Sequence, residues 1–376
     1  MKKQLQLVAV LLATSIGGFA EHGSSRLYRF GGEWIQEVTG TLPSASVVRV
    51  KSSAGSIHVT GTKGEGVRFI VREHVRAISE EAARREIAHM HFTTWGSASL
   101  ARLQADCEGS NGGYIDFELQ VPTRTAQVKL ETQGGAVSAK NIAGRVEAST
   151  GGGKVQLDQI GGVIWVSSDG GEVDIGKAGS DVRVIAGSGN IHIGSAAGRV
   201  NASSGGGNLN VGAAKVMSLE TGAGSISVIK CDGGLKAVTG GGTIDLREVS
   251  GPAQVESAGG GIRIGTIRGG LRVATASGPI VATLAQGSAF TDSRLETSMG
   301  DIVVYVPEGL GVNVRAAVEQ GRGDGISTEF PELKVTRANG YGPMETFAEG
   351  SINGGGPTLH VHTNAGRIEF RRTRKE

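Results

Sequence analysis

Acidic side chains are grouped in the middle of the sequence, and carboxylate pairs are the usual catalytic groups of enzymes that cleave polysaccharides. The grouped residues are Asp158, Asp169, Glu172, Asp174 and Asp181. Glu172 and Asp174 are two residues apart, so on a strand they share a face. A catalytic pair also needs a cleft built by long loops, and the sequence around these residues has essentially no insertions. We therefore interpret them as a solvated polar face and predict no catalytic residue.

Histidines two residues apart on a strand could hold a metal ion on one face. His360 and His362 have this spacing, and His58 lies in the equivalent strand region near the start of the chain. The sequence places no third ligand beside them, and His192 stands alone. We predict no metal site and no cofactor.

Two basic segments could mediate recognition. Residues 322–324 (Arg-Gly-Asp) match the tripeptide that integrins bind and fall in a predicted loop, but matches of three residues are common by chance. The basic tail at residues 371–375 could contact anionic lipid or glycan. A soluble tail is the simpler interpretation, and neither segment is predicted to be a site.

The two cysteines are Cys107 and Cys231. In an oxidising compartment they could form a disulfide. Two cysteines do not make a disulfide framework, however, and no Cys-x-x-Cys metal spacing is present. Whether they are bonded stays open. Cys231 falls at a predicted core position, which favours a small buried apolar residue.

The N-terminus has the pattern of a secretory signal peptide. Lys2 and Lys3 precede a mostly apolar run, and Gly18-Phe19-Ala20 supplies small residues before a cleavage point ahead of Glu21. The run is too short to span a bilayer, and no later stretch is apolar for long enough. We predict export to the periplasm, the cell surface or the extracellular space, without a transmembrane span in the mature chain.

The composition points to a folded, glycine-rich chain. Glycine accounts for 63 of 376 residues and proline for 8, while 38% of residues are hydrophobic. This apolar content excludes a disordered chain, and the scarcity of proline excludes collagen. The net charge is only +2, so binding of nucleic acid through bulk charge is not expected.

A period of 18 residues runs through the middle of the chain. Its marker is an apolar residue that follows a glycine by two, here called the key residue. Successive key residues are 18 apart, with a single spacing of 17; they are Val137, Val155, Val173, Ile191, Leu209, Ile226, Ile244, Ile262 and Ile280. A fixed period of this length indicates stacked structural repeats.

Apolar residues fill five positions of every repeat, namely the key residue and the positions nine and seven before it and two and five after it. Spacing by two is typical of short strands with one face inward. One repeat cannot bury its own apolar face, so the repeats must stack. We predict an all-β fold, a parallel β-solenoid with coils of about 18 residues.

The glycine two residues before the key residue occurs in all nine copies. We predict that these are structural turn glycines, needed for positive φ or for close approach to the neighbouring coil: Gly135, Gly153, Gly171, Gly189, Gly207, Gly224, Gly242, Gly260 and Gly278. A calcium-binding β-roll would need an aspartate recurring in the turn. The position after the key residue holds Asp174 and Asp245 but no such series.

The same spacing recurs outside the regular block, with Ile57, Ile302 and Ile368 as key residues and a weaker match at Ile115. We therefore predict the following segments: residues 1–20, signal peptide; 21–43, lead-in; 44–127, irregular first coils with a capping helix near 78–91; 128–290, regular solenoid; and 291–376, irregular C-terminal coils with a loop near 320–356. The helix prediction rests on Ser79 as N-cap and an apolar stripe of Ile78, Ala82, Ile87 and Met90.

Several motifs resemble a known bacterial family. They are the Gly-x-Ile/Val-x-apolar coils, the strand at residues 300–307, and the closing segment Ser-Ile-Asn-Gly-Gly-Gly-Pro at 351–357 with Asn-Ala-Gly-Arg-Ile at 364–368. Together they resemble the adhesins of the DUF4097 type, which are related to the head domains of autotransporter adhesins. The resemblance covers nearly all of the chain after residue 20. It implies an exported β-helical protein and transfers no catalytic residue.

The sequence favours a non-enzymatic, exported β-solenoid with an adhesin-like or envelope-interaction role, whose partner is an envelope protein or a surface glycan rather than nucleic acid. Two alternatives remain open. One is a carbohydrate-active β-helix enzyme, a lyase or hydrolase. The other is a periplasmic scaffold that docks a protein partner through a strand face or an exposed end. Ligand, handedness and oligomeric state are not determined.

Overall fold

The computed structural model describes residues 21–107, 109–286, 289–320, 325–337 and 345–373. The predicted signal peptide, the Arg-Gly-Asp tripeptide and residues 374–376 lie outside the described residues. The chain divides into two compact units, unit 1 ending at Val163 and unit 2 beginning at Ile164. Each unit is built from coils of parallel strands, which confirms the predicted all-β parallel β-solenoid.

Unit 1 contains one helix and twelve strands among its described residues. They are β1 (Glu21–Phe30), β2 (Glu33–Leu42), β3 (Val47–Ser52), β4 (Ile57–Thr62), β5 (Val67–Val75), α1 (Glu80–Ile87), β6 (His91–Gly96), β7 (Leu100–Asp106), β8 (Tyr114–Pro122), β9 (Gln127–Thr132), β10 (Val137–Ile142), β11 (Arg145–Thr150) and β12 (Val155–Ile160).

The described part of unit 2 consists of strands and turns. The strands are β13 (Ile164–Ser168), β14 (Val173–Ala178), β15 (Val182–Ala186), β16 (Ile191–Ala196), β17 (Arg199–Ser204), β18 (Leu209–Ala214), β19 (Val216–Thr221), β20 (Ile226–Cys231), β21 (Leu235–Thr239), β22 (Ile244–Val249), β23 (Ala253–Ser257), β24 (Ile262–Ile267), β25 (Leu271–Ser277), β26 (Ile280–Leu284), β27 (Ser293–Met299), β28 (Ile302–Val306), β29 (Val312–Val318), β30 (Ile326–Thr328), β31 (Lys334–Arg337), β32 (Thr346–Ile352), β33 (Thr358–Ala365) and β34 (Ile368–Arg372).

The first coil of unit 1, β3 with β4, lies between two other coils. The coil β9–β10 pairs with it in parallel on one side, and the coil β7–β8 pairs with it on the other. Residues between β4 and β7 form β5 and β6, which run antiparallel to β8 and β7. One side of the first coil is therefore covered by strands that come before the regular series of coils in the sequence.

The C-terminal part of unit 2 repeats this arrangement. The final coil in the sequence, β33–β34, pairs with β27–β28 on one side and with the earlier strands β29 and β30 on the other. Strand β32 runs antiparallel to β29, and β31 runs antiparallel to β32. The described part of residues 320–356, predicted as a loop, contains β30, β31 and β32. Strands β31 and β32 are antiparallel closing strands, and β30 is a three-residue strand that pairs in parallel with β34.

The five predicted apolar columns form the core of both units. Their members are at most 6% exposed, apart from Ala285. At that position the register shifts, and Leu284 lies opposite Ile267 in its place. The weaker match at Ile115 was offset by two residues, because Phe117, and not Ile115, pairs with the key residue Ile57.

A sixth inward position, five residues before the key residue, carries hydroxyl groups and was not among the predicted apolar columns. In the repeat of Thr239, the hydroxyl donates to the Gly224 carbonyl at 2.7 Å and accepts from the Gly242 amide at 3.2 Å. Equivalent buried hydroxyls belong to Thr132, Thr150, Ser168, Ser204, Thr221, Ser257, Thr275, Thr297 and Thr363. They provide partners for backbone groups at the turn, which would otherwise be buried without a hydrogen bond.

Glycines of the predicted turn column lie against the backbone of the preceding coil. A Cβ atom on Gly207 would lie 2.1 Å from the Gly189 carbonyl oxygen, and one on Gly260 would lie 1.9 Å from the Gly242 oxygen. None of the nine is among the described residues with positive φ. Of the two predicted reasons for glycine, the geometry here provides close approach. That the column is required for folding stays a prediction.

Helix α1 is short and has a side-chain cap. The Ser79 hydroxyl accepts a hydrogen bond from the Ala82 amide at 3.2 Å. Its buried stripe consists of Ala83 and Ile87, and Met90 follows in the core. The predicted stripe was wrong at Ile78, which is 95% exposed because it precedes the helix and its cap. It was also wrong at Ala82, which is half-exposed, and the buried residue of this turn is Ala83. No helix among the described residues is long and apolar enough to cross a membrane.

Candidate functional site

The grouped carboxylates lie on exposed or half-exposed strands and turns. Asp158 belongs to unit 1, where it lies 3.9 Å from the Lys140 ammonium. The other four belong to unit 2; there Asp174 lies beside His192 in strand register, and the Asp181 carboxylate accepts a hydrogen bond from the Arg199 amide at 2.8 Å. Capping a backbone amide is a structural role for such a carboxylate.

Two shallow depressions lie on the surface of unit 1. The larger, of about 520 Å³, is lined by polar and aliphatic residues around Thr62, Asn141 and Gln159. The smaller, of about 170 Å³, is lined by residues around Ser44 and Arg124. No lining residue of either depression is a carboxylate, so neither has the acid pair that hydrolysis of a glycosidic bond requires.

The predicted histidines have hydrogen-bond partners of their own. His58 Nδ1 lies 2.7 Å from the Ser138 hydroxyl, and His362 Nε2 lies 3.1 Å from a Glu319 carboxylate oxygen. His360 and His362 alternate with inward residues on β33 and share its outer face. Among the described residues, no group of three His, Cys, Asp or Glu side chains is arranged to hold a metal ion.

A polar cluster that sequence reasoning missed lies on the antiparallel sheet of unit 1. The His74 imidazole stacks on the Tyr114 ring with centroids 4.4 Å apart. Its two nitrogens lie 3.5 Å from carboxylate oxygens of Glu33 and Asp116. These contacts exceed ordinary hydrogen-bond distances, and both nitrogens are buried without a hydrogen-bond partner in the described part of the chain.

Glu33 is the acceptor that organises this cluster. The Tyr114 hydroxyl donates to it at 3.0 Å, and Arg76 donates at 3.0 Å. The hydrogen bond from Arg76 holds the pKa of Glu33 below its usual value. Burial and the bond to Glu33 raise the pKa of Tyr114 to about 12. The phenol therefore stays protonated at physiological pH and can donate its hydrogen bond to Glu33.

Glu73, the residue before His74, is a buried acid whose side chain points into the core. It continues the inward series of Val67, Phe69 and Val71 on β5 and is 4% exposed. Its Oε2 atom is buried without a hydrogen-bond partner in the described structure, and burial raises the pKa of Glu73 to about 7. Burial also raises the pKa of the Cys107 thiol, with smaller contributions from the charges of Asp106 and Glu73.

Both cysteines are buried free thiols. Cys231 is fully buried in its apolar column, and its sulfur contacts backbone carbonyl oxygens, the nearest that of Gly233 at 3.5 Å. Burial raises the pKa of this thiol too. A thiol that is buried and has a raised pKa is a poor nucleophile.

The outer face of the second sheet of unit 1 carries a row of cations that ends in an aromatic ring. Strands β6, β7, β3 and β9 are neighbours in that order. Their register places Trp95, Arg102, Arg49 and Lys129 side by side on the outer face. We call this series the basic row.

A second row runs parallel to the basic row, two residues further along each strand. In this second row Gln104 is paired in register with Lys51, which is in turn paired with Glu131. The corresponding pair of the basic row is Arg102 with Arg49. Lys51 and Arg49 are exposed, and in the part of the chain that the structure describes no carboxylate forms an ion pair with either.

Glu131 is the single carboxylate of the two rows across these four strands. It is bound to Lys129 at 2.6 Å, while Arg102 donates to the neutral Gln104 at 2.5 Å. The two rows therefore carry four cations and one anion. This surface has a local excess of positive charge, although the net charge of the whole chain is small. We call the two rows across β6, β7, β3 and β9, with Trp95, the basic face.

Sequence reasoning missed this face for a physical reason. The alternation of Arg49 and Lys51 with buried valines is visible in the first coil, and it correctly indicates outward cations. The neighbours Arg102 and Trp95, however, come from strands that the chain inserts beside that coil. No periodicity shows which strand will lie there.

Comparison with known proteins gives little further guidance. No protein-family model matches the chain, and no curated protein matches it. Several solved structures are similar over most of the chain, among them the following three. A "putative cell adhesion protein" from Clostridium sporogenes has 8% identity, covers 90% of this chain and 100% of its own, and has a TM-score of 0.21.

The other two have similar values. A "putative adhesin" from Bacteroides fragilis has 9% identity, covers 90% of this chain and 97% of its own, and has a TM-score of 0.21. A "putative lipid binding protein" from Parabacteroides distasonis has 10% identity, with 92% and 98% coverage and a TM-score of 0.28. Superpositions with scores this low carry no information about what the present chain binds.

Proposed function

We propose that this protein is an exported, non-enzymatic β-solenoid with an adhesin-like or envelope-interaction role, and that it holds its ligand on the basic face. The observation that carries the proposal is the pair of exposed cations, Arg49 and Lys51, which have no acidic partner in the described structure. Clustered cations without partners attract an external anion. The signal-peptide pattern and the resemblance to DUF4097-type adhesins support the same role.

The test is co-sedimentation of the purified protein, residues 21–376, with bacterial envelope fractions at physiological salt. The variant Arg49→Glu/Lys51→Glu reverses two charges of the basic face. The matched control Lys63→Glu/Arg68→Glu reverses two exposed charges elsewhere in unit 1. We expect at least a tenfold loss of binding for the first variant and no change for the second. Equal binding by all three proteins would overturn the role of this face.

The enzymatic alternative is tested with the same fractions. Release of reducing ends or unsaturated sugars by the wild type, abolished by Glu172→Gln or Asp174→Asn, would show a carbohydrate-active enzyme and overturn the non-enzymatic proposal. We expect no turnover, because the depressions described above carry no carboxylate.

A docking scaffold is the second candidate, favoured by one observation. Strand β6 pairs with β7 on one side, and in the described structure no strand is paired with its other edge. An exposed edge can accept a strand of a partner protein. Loss of binding after protease treatment of the envelope fraction, with binding retained after removal of its glycans, would favour the scaffold.

A further inference from the structure

The basic face has a shape and charge spacing that point to one class of ligand. We propose that it binds a linear acidic glycan that lies across the strands, with Trp95 stacked on a sugar ring and with Arg102, Arg49 and the adjacent Lys51 paired with carboxylate or sulfate groups. This inference rests on the proposed function and names the ligand of the same face.

The spacing of the cations follows from the sheet. Neighbouring strands lie ~4.8 Å apart, and side chains in register stand beside each other at that interval. The basic row thus offers one cation per strand along a straight line, a spacing close to the length of one sugar in an extended chain. A polymer with ionised groups recurring along its length can contact successive cations without bending.

The aromatic end of the row adds a preference for sugars. Trp95 is 41% exposed and lies beside Arg102 in register. An exposed indole ring offers a flat apolar surface, which the C–H face of a pyranose can cover. Phosphate or free carboxylate alone would use the cations but not this ring.

Other polyanions fit the face less well. Single-stranded nucleic acid is held by several aromatic side chains on which successive bases stack, and the basic face exposes one. Duplex DNA binding needs many phosphate contacts over a wide basic surface. A membrane anchor would combine the cations with several protruding apolar side chains, whereas the residues around Trp95 are Thr93, Gln104 and the cations.

The glycan proposal is tested with polygalacturonate and its oligomers as probes and neutral dextran as the uncharged control. We expect salt-sensitive binding of polygalacturonate and none of dextran. Affinity should rise with oligomer length to about four sugars, the number of strands in the row, and then level off. Length-independent binding, or equal binding of dextran, would overturn the proposal.

Substitutions test the contributions of the cations and of the Trp95 ring separately. Arg49→Gln/Lys51→Gln should weaken polygalacturonate binding about tenfold and reduce its salt dependence. Trp95→Ala should weaken it about fivefold, while Trp165→Ala, which removes an equally exposed indole from unit 2, should leave it unchanged. Equal losses for the two tryptophan variants would contradict stacking at Trp95.

Two further comparisons test other polyanionic ligands and separate a failure of the glycan assignment from a failure of the proposed function. Tighter binding of anionic phosphatidylserine vesicles or of oligo-dT than of polygalacturonate would overturn the glycan assignment. If polygalacturonate does not bind while the Arg49→Glu/Lys51→Glu variant still loses envelope binding, the ligand class is wrong and the proposed function stands. If polygalacturonate does not bind and the Arg49→Glu/Lys51→Glu variant binds the envelope as well as the wild type does, both the glycan assignment and the proposed function fail.

Discussion

Replacing Glu73 by glutamine should make unit 1 more stable at alkaline pH and remove part of its pH dependence. Glu73 points into the core between Gln36 and Ile115 of the neighbouring strands and is 4% exposed. Burial favours the uncharged acid and raises its pKa from 4.5 to about 7. Glutamine has nearly the same shape and cannot ionise.

The sign and size follow from linkage between protonation and folding. Between about pH 4.5 and 7 the folded state holds a proton that the unfolded state has released, so stability falls as the pH rises through this window. Above it the full penalty applies. The difference between 4.5 and about 7 corresponds to about 3 kcal/mol, at roughly 1.4 kcal/mol per pH unit.

The assay is urea denaturation of wild type and Glu73→Gln at pH 5 and pH 8.5. With an m-value of ~2 kcal/mol per molar urea, the variant's midpoint should exceed that of the wild type by about 1.5 M at pH 8.5. At pH 5 the two should agree within about 0.5 M, because an acid and an amide are then buried alike. Hydrogen exchange of peptides from β5 and β8 locates the change in unit 1.

The control is Glu65→Gln, which neutralises an exposed carboxylate in the turn before β5. It changes the net charge by the same amount and should follow the wild type at both pH values. The reasoning is refuted if the difference between Glu73→Gln and wild type is the same at pH 5 and 8.5. A control variant that reproduces the gain would show that net charge, and not burial, is responsible.

Three further substitutions test the coils and the helix by urea denaturation or hydrogen exchange. Gly207→Ala should lower the free energy of unfolding by about 3 kcal/mol through overpacking, since its Cβ would lie 2.1 Å from the Gly189 carbonyl oxygen. The control Gly206→Ala places its Cβ in open space and should be nearly neutral. Equal effects of the two substitutions would contradict close approach as the reason for glycine. Thr239→Val should cost about 1–3 kcal/mol by leaving turn backbone groups unpaired, and Thr239→Ser should retain most of the stability; a serine variant as unstable as the valine variant would argue against the hydroxyl. Ser79→Ala should lower helix stability by about 1 kcal/mol, seen as faster exchange in α1; unchanged exchange would mean that the cap contributes nothing.

Much of the coil could be predicted from the sequence because the signal is local and repeated. Apolar residues at spacing two, renewed every 18 residues, place 44 of the 45 predicted core side chains in buried positions; the exception is Ala285. The hydroxyl column was nearly as regular in the sequence, with Ala186 as its exception in the regular block. It escaped because a search for apolar residues does not register threonine and serine, although their burial follows from the same stacking.

The ends of the coil series were decided by the tertiary structure. The pairing of β3 with β7, and of β33 with both β27 and β29, joins strands that are far apart in the sequence or out of chain order. A repeat shows that coils must stack, but each coil offers two open edges, and the pattern is the same on both. Which coil fills which edge depends on how the connecting strands close the sheet.

The candidate site follows the same division. The sequence by itself determined that Arg49 and Lys51 point outward, because they alternate with buried valines. Only the tertiary structure brought Arg102 and Trp95 beside them, since a surface row perpendicular to the strands is made of residues from several coils. Alternation along one strand is encoded within a few residues, whereas neighbours across strands are set by the pairing of distant segments.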